Sequence, residues 1–319
     1  MSGARPIILG IVGDSAAGKT TITRGLVDLL GPERVTHVCT DDYHRYDRVE
    51  RARLGITALH PDCNHIAVME RDLASLHQGL AILKPVYDHA TGSLVRPEYV
   101  AAREFVIVEG LLGFSTPGLR QLCDIKVYLD PPEELRHCWK VRRDTSKRGY
   151  TAEQVVAELE KREPDSRDYI RPQRAYADIV VRFYPPAVSE EKADKRVNAR
   201  LVLRPTIPHP LLSYLFDGTQ RPRSGIRLEL GRDGGRPADL LEIDGNVIPE
   251  YASELEDKVW QHLPDLRPLR SDQFGAYQDK AEVLHSDPLA VTQLLLTYHL
   301  LRNHVDLGRA SLVSHAAAH

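Results

Sequence analysis

The first apolar positions of the chain run without interruption, IILGIV over residues 7–12. A half-buried strand would alternate, so an unbroken β-prone run predicts a strand covered on both faces, as in a parallel sheet. A glycine-rich loop follows. Apolar residues then recur at helical spacing through Leu30, and Gly31-Pro32 stops the helix. VTHVCT (35–40) predicts a second strand. Ile66, Met69, Leu73, Leu76 and Leu80 lie three or four residues apart and predict a helix over 66–79. FVIVEG (105–110) and IKVYLD (125–130) predict two more strands, each closing on an acid. Pro131-Pro132 opens a helix to about Asp144, because proline is tolerated in a first turn. A helix over 151–163 and a strand DIVVRF (178–183) follow. Strands alternating with helices imply right-handed crossovers and a mainly parallel sheet.

After about residue 190 the pattern changes. EEKADKR is charged, and RVNARLVLR, GIRLELG and ADLLEIDGN predict short strands with turns. Helices are expected near 251–263 and 288–304, and SHAAAH reads as a frayed end. The expected organisation is a core over 1–190 and a smaller α+β extension over 191–319.

Composition narrows the function classes. A chain of 319 residues at 42% hydrophobic can bury a sizeable core. A net charge of −3 lacks the basic excess of a dedicated nucleic-acid binder. No apolar run reaches membrane-span length, and the first strand leads straight into the glycine loop, unlike a signal peptide. Cys39, Cys63, Cys123 and Cys138 form no C-x-x-C pair and no disulfide framework, which points to the cytoplasm.

The chemistry begins at GDSAAGKTT, residues 13–21. Gly13-x-x-x-x-Gly18-Lys19-Thr20 fits the P-loop pattern in its required setting, between a strand and a helix. The fold class is therefore α/β of the P-loop NTPase type, with helices flanking the sheet. Gly13, Asp14, Ser15, Ala16, Ala17, Gly18, Lys19, Thr20 and Thr21 are expected to cradle the phosphates of ATP. Backbone N–H groups and the helix N-terminus face the anion, Lys19 reaches the β- and γ-phosphates, and Thr20 holds Mg²⁺. A strand-end acid must organise the metal. Glu109 is the first candidate, with Asp41 and Asp42 next. Asp41 and Glu109 should both overlook the phosphates, because carboxyl ends of strands face the ligand crevice.

TDDYHRYDR places His44 and Arg48 just past these acids. An acid beside a histidine and an arginine suits an acceptor with a hydroxyl and an anionic group; a solvated polar loop is the plain alternative. In WKVRRDTSKRG, Lys140 and Arg143 share a helix face and Arg148 precedes Gly149, where they could stabilise transferring phosphoryl charge. A charged helix end is the plain alternative there.

Together the P-loop, DDYHRYDR, GITALHPDCN, KPVYDHATG, EGL, RRDTSKRG and DYIRPQ resemble the phosphoribulokinases of the plant and cyanobacterial type, in that family's order over 7–185. A looser likeness continues in RVNARLVLR, SYLFDG and LLEIDG. The P-loop alone is unspecific; DDYHRYDR with TALHPDCN and KPVYDHATG is far more specific. The resemblance implies transfer of the γ-phosphate of Mg-ATP to O1 of D-ribulose 5-phosphate. It implies Asp41 as catalytic base, Glu109 as metal-associated acid, and His44 and Arg48 as sugar-phosphate contacts. Lys140, Arg143 and Arg148 match the basic helix and lid, Tyr87 and His89 fall in a substrate-side segment, and a homodimer is implied. Three departures matter. Ala17 stands where the plant-type enzyme has a P-loop cysteine, and no cysteine follows Cys138, so thiol–disulfide switching is expected to be absent or weak. Leu112 stands where the family usually has histidine, and that stretch looks more like uridine kinase, a sister family. Two other readings are a nucleoside kinase of that type and a nucleotide-binding regulator without turnover. A nucleoside would bring no phosphate to His44 and Arg48. The presence of Lys19, Thr20, Asp41 and Glu109 weighs against lost catalysis.

Overall fold

β1 (Ile7–Gly13) is buried along its whole length, which is what its unbroken apolar sequence requires. The computed structural model describes residues 5–186, 196–210, 225–247, 253–254, 257, 259–261, 274–279 and 282–316, without side chains at 147–148, 278–279 and 308–316. The chain forms two units. The first takes residues up to 19, 33–129 and 133–177; the second takes 20–32, 130–132 and the described residues from 178 on.

In the first unit β1, β2 (Val35–Cys39), β5 (Phe105–Gly110) and β6 (Ile125–Leu129) lie in the order β2-β5-β1-β6, all parallel. Ile11 and Cys39 are both in register with Glu109, so the carboxyl ends of β1, β2 and β5 close at one level. β2 stops one residue short of the predicted end, because Thr40–Tyr43 turn into a 3-10 segment. That turn is held by Thr40, whose hydroxyl accepts a 3.0 Å hydrogen bond from Leu111 N. Position 110 must be glycine, since a Cβ there would collide with the Thr40 side chain.

Helices α2 (Arg48–Leu54), α3 (Ile66–His77), α4 (Pro117–Leu122), α5 (Glu133–Arg148) and α6 (Ala152–Asp165) belong to this unit. α3 buries Met69, Leu73 and Leu76 of the predicted stripe, Ile66 is half-buried, and the helix ends at His77, which leaves Leu80 outside it and exposed. α5 continues beyond Asp144 to Arg148. α6 carries Pro164, which lacks the N–H a helix interior needs. It gives way to a π turn (Ser166–Ile170) and a 3-10 turn (Arg171–Tyr176). A hairpin of β3 (Ile82–Asp88) and β4 (Ser93–Val100) was not predicted. Its register shifts between Lys84 and Val86, around Pro85, which has no N–H for a ladder.

The second unit contains α1 (Lys19–Leu30) apart from its first residue, together with β7 (Ile179–Tyr184), β8 (Asn198–Leu203), β10 (Arg236–Ile243) and β9 (Ile226–Asp233). These four strands are antiparallel in the order β7-β8-β10-β9. A small hairpin, β11 (Ala276–Asp279) with β12 (Glu282–His285), precedes α7 (Asp287–Ala316). α7 is longer than predicted and takes in part of the tail expected to fray. Most of the helix expected over 251–263, SYLFDG, and all of EEKADKR but its last residue lie outside the described residues. The architecture is the predicted one: an α/β fold with a parallel sheet and helices, extended by an antiparallel C-terminal portion.

Candidate active site

The P-loop leaves β1 at Gly13, and its turn is made by two residues of positive φ, Ala16 at 65° and Gly18 at 98°. Ala17 N donates to Asp14 O at 3.1 Å, and Ala17 itself is fully buried. Lys19 folds back over the loop, where its Nζ donates to Gly13 O (2.7 Å) and Asp14 O (2.9 Å). Burial pushes the Lys19 ammonium below its ordinary pKa, and Glu109, Asp41 and Asp14 oppose that. Thr20 and Thr21 follow in the first turn of α1.

The loop is braced from behind by residues the sequence reading missed. Asp14 accepts from Ser15 N (2.6 Å) and from the Ser166 hydroxyl. Arg136, 6% exposed, lies 3.6 Å from the Asp14 carboxylate and 3.5 Å from Ser15 O. Arg136 stands one helical turn before Lys140, and that i, i+4 spacing was the available signal.

The two neighbouring aspartates have different tasks. Asp42 pairs with the buried ammonium of Lys84 and accepts from Tyr87 N at 2.9 Å, so it ties the turn after β2 to β3. Asp41 accepts no side-chain hydrogen bond among the described residues; the His89 ring lies beside it, with Nε2 at 3.6 Å. Burial pushes its pKa up, but His44, His89, Lys19 and Arg162 outweigh that, so the carboxyl is held below its ordinary range and is ionised. Glu109 is 5% exposed at the end of β5, where His37 Nε2 lies 3.2 Å from its Oε1. His37 was also missed; it sits two residues before Cys39 on β2, so the two side chains point to the same face.

Around Asp41 the structure gathers an aromatic and basic cluster. His44 and Tyr87 rings meet edge to face at 4.8 Å, and Tyr87 and His89 at 5.1 Å. Arg48 opens α2 behind a capping box of Asp47 and Glu50, and donates to His89 O at 2.7 Å. It grips the turn at Gly92, where a Cβ would lie 2.6 Å from Arg48 Nε. Arg51, one turn further on, was missed; it donates to Tyr87 OH (2.6 Å) and Tyr46 O (2.8 Å).

On α5, Lys140 is buried and donates to Asp144 at 2.8 Å, and Arg143 Nε donates to the other oxygen at 2.8 Å. Burial and the nearby Arg162 lower Lys140 to about 8, although Asp144 opposes them. Burial raises the Asp144 pKa, but Arg143 and Lys140 outweigh it and bring it to about 2. The Arg148 side chain lies outside the described residues. Leu112, the position that departs from the family in the sequence, is buried, at 2% exposure. It packs with Ala58, Leu59, Leu111 and Ile170. The adjoining turn is clamped by Gln173, which donates to Leu111 O and accepts from Phe114 N.

A P-loop, an ionised acid without a hydrogen-bond donor among the described residues and a cluster of basic side chains are parts that phosphoryl transfer to a hydroxyl can use. The model of the Phosphoribulokinase / Uridine kinase family matches residues 8–188. The chain is 39% identical over 293 residues to the phosphoribulokinase of Synechocystis sp., covering 85% of this chain and 88% of that one. The chloroplastic phosphoribulokinase of Triticum aestivum is 32% identical over 273 residues, covering 76% and 68%. The uridine kinase of Chloroflexus aggregans is 33% identical over 181 residues, but covers only 55% of this chain. The solved phosphoribulokinase from Rhodobacter spheroides has the same fold, with a TM-score of 0.57 at 18% identity over 83% of this chain and 97% of that one. The chain belongs to the phosphoribulokinase/uridine kinase family.

Proposed function

We infer that this chain is a phosphoribulokinase: it transfers the γ-phosphoryl group of ATP to O1 of D-ribulose 5-phosphate, giving D-ribulose 1,5-bisphosphate. The observation that carries the reading is Asp41, an ionised strand-end carboxylate with no hydrogen-bond donor among the described residues, beside His44 and His89. In a loose transition state the acceptor hydroxyl must be aligned and its proton taken late, which Asp41 does. Lys19 moves from the carbonyls of its own loop to the β- and γ-phosphates. Arg48, Tyr87 and His89 form the acceptor side with His44, and Lys140, Arg143 and Arg148 face phosphoryl charge.

Glu109 and the Thr20 hydroxyl are the residues that would hold Mg²⁺, which supplies charge neutralisation at the phosphates when bound. No group of three or more His, Cys, Asp or Glu side chains suited to a metal occurs among the described residues. One carboxylate and one hydroxyl are a donor set that fits Mg²⁺, which is held by one or two carboxylates together with substrate phosphates and water. The same reading includes a homodimer in the cytoplasm; no described helix is long and apolar enough to cross a membrane.

Steady-state assays with ribulose 5-phosphate and uridine side by side test the acceptor. Turnover of the sugar phosphate alone is expected. Turnover of uridine alone would overturn the assignment.

A further inference from the structure

The segment 57–64, TALHPDCN, lies against the acceptor cluster, and nothing so far has given it a task. Its backbone is zipped to the turn carrying His44: Arg45 N donates to Cys63 O (2.7 Å) and His65 N to Tyr43 O (2.8 Å). Inside this zipper His44 Nδ1 lies 2.8 Å from Asn64 Oδ1, and both residues are buried. The Asn64 amide can be oriented only one way. Its Nδ2 donates to Ala58 O (3.1 Å) and His60 O (2.9 Å), which leaves Oδ1 facing the ring. A carboxamide oxygen only accepts, so Nδ1 must carry the proton. In the neutral ring Nε2 then has a lone pair, and it makes no hydrogen bond to the described residues.

We propose that Asn64 is a positioning residue that holds His44 as its Nδ1–H tautomer, so that Nε2 accepts a hydrogen bond from a hydroxyl of the acceptor and does not act as a cation for its phosphate. This rests on the sugar-phosphate reading for the identity of the acceptor, but not for the tautomer. Four groups bear on the ring's charge. Burial disfavours the imidazolium, as do Arg51 and His89; Asp41 and the Asn64 hydrogen bond act the other way, and the balance lies below the ordinary histidine value. Arg48 and Arg51, which stay charged at any working pH, are the groups left to face the dianion.

The test is nitrogen NMR of ¹⁵N-histidine-labelled protein near neutral pH, which separates the two neutral tautomers and the imidazolium. The His44 resonances are assigned with a His44→Gln control. The expected result is Nδ1–H with an unprotonated Nε2, in the free protein and with ribulose 5-phosphate bound. Asn64→Leu should mix the tautomers and raise KM for ribulose 5-phosphate roughly three- to tenfold, the weight of one neutral hydrogen bond, with KM for ATP unchanged. Asn64→Asp keeps an acceptor at Nδ1 but loses both Nδ2 donations and places a charge beside the ring, so it should keep Nδ1–H and shift the ring toward the imidazolium. An Nε2–H tautomer in the free protein overturns the role of Asn64 whatever the acceptor is. An imidazolium in the acceptor complex overturns the hydroxyl contact. Turnover of uridine in place of ribulose 5-phosphate would overturn the acceptor reading while leaving the tautomer result standing, so the two failures are distinguishable.

Discussion

Asp41 and Asp42 are adjacent in sequence, yet the structure predicts opposite outcomes when each is replaced by asparagine. Asp41→Asn removes a negative charge from a side chain with no hydrogen bond to lose within the described fold. Its effect on stability should stay within about 1 kcal/mol. Its effect on turnover should be that of a lost general base, about 10²–10⁴ in kcat, with KM for ATP little changed. Asp42→Asn takes from the Lys84 ammonium, whose side chain is 6% exposed, its close counter-charge and leaves only the exposed Glu98 carboxylate at 4.0 Å. Breaking a buried pair from one side costs about 3–5 kcal/mol. The lower end applies here, since asparagine keeps an oxygen for Tyr87 N. Asp42→Asn should therefore unfold about 3 kcal/mol more easily and raise KM for the acceptor through a loosened Tyr87, while retaining most of kcat. Initial rates with saturating ATP, paired with denaturant unfolding of each variant, separate the two effects. A stably folded but inactive Asp42→Asn beside an Asp41→Asn of near-normal kcat would show that the wrong acid has been called the base.

Ala16 sits at φ 65°, a conformation that costs a residue with a Cβ roughly 1–2 kcal/mol. Ala16→Gly should stabilise the protein by about 0.5–1 kcal/mol after glycine's greater unfolded-state entropy is counted; a destabilised variant would contradict the strain. Burial pushes the Cys39 thiol well up, with Asp41 and Glu109 adding to it, so Cys39 should alkylate slowly at neutral pH and oxidised dithiothreitol should leave activity unchanged. A large reversible loss on oxidation would point to a cysteine pair. Burial, with His209 beside it, lowers His299 to about 3, far below its unfolded value near 6.5. The neutral ring is the one the fold requires. The stabilisation is complete above pH 6.5 and is lost as pH falls toward 3, by about 1.4 kcal/mol per unit at most. Unfolding measured from pH 8 to 5 should show this slope in the native protein and a flatter one in His299→Gln; parallel slopes would refute it.

Much of this protein was determined by the sequence alone. Uninterrupted apolar runs marked β1 and the first four residues of β5, because a strand covered on both faces has no polar side to interrupt it. The P-loop and the strand-end acids were legible because their chemistry follows from position along the chain. The hairpin β3–β4 was not. Proline and lysine obscure its period, and it forms because Asp42 takes the Lys84 ammonium and Tyr87 N from a distant segment. For the same reason composition could not separate Asp41 from Asp42. Both lie in the turn that follows the same strand, and only the partner brought by β3 makes one structural and leaves the other ionised without a donor among the described residues. Leu112 shows the converse: a sequence departure that drew attention became a core residue once Ile170 and Leu59 packed on it. Arg136, His37, Arg51 and Asn64 were invisible as functional residues because their tasks are contacts with the P-loop, Glu109, Tyr87 and His44. Those contacts exist only after elements far apart in the chain have been brought together, and no local pattern of apolar and polar residues encodes them.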